Sequence, residues 1–132
     1  MKNEMVVMTL ALILCGTLFV QAADDLARPK TEPVERAVAV LRAEQTKLAA
    51  GRSTLFNVCQ VAKDLRRAEL QASANPAQRV AAHKRHVAAM RDLKDQTDKR
   101  IEKGVDSSLD GKLIAQQLKE AETELARAQN DK

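Results

Sequence analysis

A helix-stop, helix-start pattern that occurs twice constrains this chain most: Lys47-Leu48-Ala49-Ala50-Gly51-Arg52-Ser53-Thr54-Leu55, and later Arg100-Ile101-Glu102-Lys103-Gly104-Val105-Asp106-Ser107-Ser108-Leu109. A glycine just past a last helical turn adopts the left-handed conformation that lets the final carbonyls be satisfied. A serine or threonine two or three residues on can accept from the free N–H groups of the next helix. Each copy therefore predicts a helical hairpin turn. The glycines lie 53 residues apart, as do Ala68-Glu69 and Ala121-Glu122, whereas Leu55 and Leu109 need a one-residue gap. The expected fold is all-α: two antiparallel helical hairpins, residues 33–74 and 76–129, forming a small coiled-coil-like four-helix bundle over 33–129.

Residues 1–22 read as a secretory signal. Lys2 lies in a short polar start, an apolar run extends from Met5 to Val20, and Val20-Gln21-Ala22 offers small side chains before Ala23. The alternatives are a retained anchor and a lipid on Cys15. The run is shorter than the roughly 20 residues a spanning helix needs, and Leu14 stands where a lipid-attachment box takes a small residue. Cleavage predicts a periplasmic or secreted protein, with membrane contact only through an uncleaved signal. Residues 23–32, which include Pro29, are expected to form a flexible leader.

Removing the first 22 of 132 residues leaves 110, enough for one small domain. The net charge stays at +4, because Lys2 and Glu4 leave together. Its basic and acidic residues are interspersed along the chain, the pattern of solvated helical faces. Nucleic acid is excluded as the expected partner, since Phe56 is the one aromatic side chain beyond the signal that could stack on a base. Cys59 is left as a single cysteine, either buried and inert or open to an intermolecular disulfide. Its apolar neighbours Val58 and Ala62 favour burial.

The first helix is predicted to start near Glu32 or Pro33, where the missing N–H of proline is harmless. Val34, Val38, Leu41, Gln45 and Leu48 then follow at steps of four and three, a coiled-coil seam with one polar position. Leu55, Val58, Ala62, Leu65, Glu69 and Ala72 repeat the step in the second helix. Asn75-Pro76 predicts a break and a capped restart, with Gln78 placed to complete a capping box. The third helix, about 76 to 103, spans on the order of 42 Å. It is the least apolar, and the run from Arg91 to Arg100 predicts a solvent-bathed far end. The fourth starts near Ser107 or Ser108 and carries Ile114, Leu118, Ala121, Leu125 and Ala128 at the same step.

No catalytic, cofactor or metal residues are assigned. His83 and His86 have a chelating spacing, but no third ligand accompanies them. Their places near Val80, Val87 and Met90 predict partly buried, hydrogen-bonded side chains instead. Each carboxylate has a lysine or arginine nearby in sequence, and Ser53, Thr54, Ser107 and Ser108 read as caps rather than nucleophiles. There is no phosphate loop, zinc spacing or nucleophile elbow. The expectation is a non-enzyme with no cofactor and no evident small-molecule substrate.

With Gly51 or Gly104, the following Ser/Thr and Leu, Asn57 or Asp110, and Ala68-Glu69 or Ala121-Glu122, residues 33–128 resemble the hairpin repeat of outer-membrane efflux proteins of the TolC type. In that family, two hairpins per subunit build a periplasmic helical tunnel whose glycine turns lie at the tip, where adaptor proteins dock. This chain has shorter helices and no strand segments for the family's outer-membrane barrel. The resemblance implies a detached, exported helical module that presents its turns to a protein partner or self-associates through its seams. A periplasmic holdase-type chaperone is the alternative.

Overall fold

Both glycines end their helices by the same hydrogen-bonded motif. Gly51 and Gly104 each have φ of 72°, in the left-handed region. In the first turn Gly51 N–H donates to the Leu48 carbonyl (3.0 Å) and Arg52 N–H to that of Lys47 (2.7 Å). In the second, Gly104 N–H donates to Ile101 (2.9 Å) and Val105 N–H to Arg100 (2.8 Å). These are the two bonds of a Schellman motif, made twice.

The structure is a computed structural model that describes residues 28–131. The expected signal, its cleavage site at Ala23 and residues 23–27 of the leader lie outside the described residues. The protein is all-α, with four helices among the described residues: α1 (Glu32–Ala49), α2 (Leu55–Ala72), α3 (Pro76–Glu102) and α4 (Ser108–Asn130). α1 packs on α2 and α3 on α4, while α2 and α3 join the two pairs and α2 meets α4 over a smaller area. The two glycine turns therefore share one end of the bundle.

Side-chain caps explain the starts of α2, α3 and α4. Thr54 Oγ1 accepts from Asn57 N–H (3.2 Å), and Ser107 Oγ from Asp110 N–H, with the Asp110 carboxylate accepting from Ser107 N–H (3.2 Å) in a full capping box. Asn75 caps α3 by accepting from Gln78 N–H (2.9 Å). The box expected there is displaced by one residue, for Gln78 Oε1 takes the N–H of Ala74 (2.6 Å) rather than that of Asn75. Ser53 does not cap α2; its hydroxyl reaches back to Glu44 on α1 (2.7 Å).

The core gathers Leu55, Val58, Cys59, Ala62, Leu65, Ala82, Val87, Met90, Leu93, Ile114 and Ala121, with Val34 from α1. Val58, Met90 and Ile114 are wholly buried. The far end of α3 is largely exposed at Arg91, Asp92, Asp95, Gln96 and Lys99, but Leu93 and Thr97 within it are buried. The charged run presents its polar residues outward while every third or fourth residue faces the bundle.

Candidate functional site

The end that carries both turns is where the duplicated sequence becomes a single surface. Arg100, in the last turn of α3, links the two copies. Its Nε pairs with Asp106 (2.9 Å) inside the second turn, and its Nη1 donates to the Leu48 carbonyl of the first (3.5 Å). That carbonyl also accepts from Gly51 N–H. Glu44, bonded to Lys47 and then to Ser53, is held below the usual carboxylate range by those two partners. The Schellman bonds and the caps at Thr54 and Ser107 engage much of the backbone here. Three large apolar side chains nevertheless stay exposed at this end: Phe56 (55%), Val105 (63%) and Leu109 (72%). The paired positions Leu55 and Leu109 thus part company, one in the core at 4% and the other in solvent.

A second cluster lies inside the bundle. Glu69, a polar residue within the apolar stripe of α2, is 1% exposed. Its Oε1 accepts from Arg28 Nε and from Arg85 Nε (3.0 Å), so one carboxylate oxygen joins the segment before α1, α2 and α3. The stripe shows Glu69 in the sequence, but no local signal shows partners 41 and 16 residues away. A small cavity of about 40 Å³ borders this cluster, with Leu41, Ala62, Leu65, Arg66 and His86 in its wall.

His86 is 5% exposed. Burial first, then the charges of Arg66, His83 and Lys63, push its pKa down to about 3, so the imidazole is neutral. Burial and Arg66 also lower His83, against the opposing pull of Glu124. The hydrogen bond expected of His83 is missing at one nitrogen: Nδ1 is buried and has no partner. No group of three metal-ligating side chains exists among the described residues. Cys59 is buried and free. Desolvation pushes its thiol up to about 11, outweighing Lys63 one turn away.

At the end opposite the turns, a cleft of about 380 Å³ opens between Leu70, Pro76, Arg79, His83, Glu124 and Arg127. Its rim mixes both charge signs and holds no nucleophile beside a base. No helix among the described residues is long and apolar enough to cross a membrane. Comparison with protein-family models, curated proteins and solved structures finds no match to this chain.

Proposed function

We propose that this protein is an exported, non-enzymatic helical interaction module that presents its two-turn end to a protein partner. The observation that carries the reading is the exposure of Phe56, Val105 and Leu109 around two turns that are each closed by a pair of Schellman hydrogen bonds. A lone exposed leucine is ordinary, but three large apolar residues at one end of a small bundle form the kind of surface that a partner covers. The turns add preorganisation, because backbone already fixed by Schellman bonds and caps loses little entropy on docking. The resemblance to TolC-type efflux hairpins supports the same end as the contact surface, in a periplasmic or secreted setting.

Capture from envelope extract tests this, with the mature chain and a Phe56→Ser/Val105→Ser/Leu109→Ser variant as baits. A partner retained by the first and lost by the second is expected. Equal recovery by both would move the contact elsewhere on the bundle. Suppression of client aggregation that survives the triple substitution would replace the module reading with that of a holdase chaperone.

A further inference from the structure

We propose that the cleft at the end opposite the turns binds an aliphatic monocarboxylate, its acid group held between Arg79 and Arg127 and its chain laid on Leu70, Pro76 and Ala128. This site is independent of the two-turn surface. It lies where α2 ends, α3 starts and α4 ends, and at about 380 Å³ it falls within the size range of small-molecule pockets. Leu70, Pro76 and Ala128 supply apolar surface, one from each of these helices.

Charge selects the head group. Arg79 and Arg127 are exposed in the cleft wall, and neither makes a side-chain hydrogen bond or ion pair with any described residue. The two acidic residues of the wall differ from each other. Glu124 is already paired with Arg66 of α2 at 2.8 Å, whereas Asp131 has no side-chain partner among the described residues. His83 adds no charge, because burial and Arg66 hold its pKa below the ordinary 6.5 and leave the ring neutral at pH 7. Two unpaired guanidinium groups against one unpaired carboxylate leave an excess of one positive charge, which matches one carboxylate better than a phosphate dianion. α3 starts and α4 ends here, so their opposed helix-end charges largely offset and the side chains decide. The planar guanidinium fork also fits the two oxygens of a carboxylate. The unpartnered Nδ1 of His83 belongs to the same wall: no hydrogen bond fixes the ring on that side, which leaves it free to reorient toward a bound acid.

Titration calorimetry and histidine NMR of the mature chain with octanoate, below its micelle concentration, test the site. Saturable binding is expected, with octanol and inorganic phosphate each about tenfold weaker. Arg79→Gln and Arg127→Gln should each weaken octanoate about fivefold, the size of one exposed ion pair. Lys84→Gln, exposed on α3 and outside the cleft, should leave it unchanged. Both arginines are exposed and unpaired among the described residues, so their substitution leaves the fold intact. Bound octanoate should also raise the His83 pKa, because a nearby anion favours the protonated ring, and octanol should not. Octanol binding as tightly as octanoate, phosphate binding more tightly, or full affinity in both arginine variants would overturn the proposal.

Discussion

Single residues carry the strongest constraints in this molecule, and they act through backbone conformation as much as through contacts. A Cβ built on Gly51 or Gly104 meets nothing within 4 Å, so substitution there is penalised by the left-handed φ alone. Gly51→Val and Gly104→Val should each lower stability by about 1–2 kcal/mol in thermal melts. Gly111 behaves differently. It is helical, and alanine there gains up to about 1 kcal/mol of helix propensity. The new methyl group meets Ile101 Cδ1 at 3.0 Å, a flexible side-chain end that must shift. Gly111→Ala should therefore be near neutral. His86 supplies a pH dependence. Its folded pKa, about 3, lies below the ordinary 6.5, so the unfolded chain takes up the proton first. Stability is complete above 6.5 and falls as pH drops toward 3, by at most about 1.4 kcal/mol per pH unit. Between pH 6.5 and 5, above most carboxylate titration, His86→Gln should flatten that slope in denaturant titrations.

At the scale of elements, the two hairpins repeat in their turns but not in their buried faces. The turns recur at 53 residues, yet Ala62, Leu65 and Glu69 are matched in burial by Ile114, Gln117 and Ala121, 52 residues on. One residue is about 100° around a helix. The second helices of the two hairpins are thus rotated differently relative to their turns, and Glu122, which aligns with the buried Glu69, is exposed and pairs with Arg91 (3.0 Å). α4 gains a polar residue on its buried face in consequence. Gln117 is 9% exposed, and its Oε1 has no hydrogen-bond partner. An unsatisfied buried amide oxygen is destabilising by about 1–3 kcal/mol, so Gln117→Leu should raise the melting midpoint, with a gain of about 1 kcal/mol. A lower midpoint would mean that the amide is satisfied by water.

For the whole molecule the limiting quantity is apolar area. Val, Ile, Leu and Phe make up 22 of the 110 residues that follow the expected signal, close to the proportion at which a chain buries too little to offset ordering entropy. Alanine occupies much of each seam, favouring helix and close approach while burying little. Joining seams between copies would enlarge the core. The melting temperature is expected to rise with protein concentration over a hundredfold range, by mass action on an oligomer, together with a concentration-dependent mass in sedimentation. A monomer whose melting temperature ignores concentration would make the bundle self-sufficient.

The helix limits, both Schellman turns and the caps at Thr54, Asn75 and Ser107 were determined by the sequence itself. Each depends on the φ preference of a glycine or proline, or on a side chain reaching a backbone group two or three residues away. The apolar stripe of α2 was legible for the same reason, as a consequence of helical period. Tertiary structure decided the rest. The burial of Leu93 and Thr97 in the charged far half of α3, the one-residue rotation between hairpins, the Arg100 link between turns and the shared hold of Arg28 and Arg85 on Glu69 all depend on how one helix is turned against another. Alanine-rich faces leave that rotation weakly specified in sequence, because many registers bury similar small residues. The outcome is settled by which few large side chains, Met90, Leu93 and Ile114 among them, find room in the center.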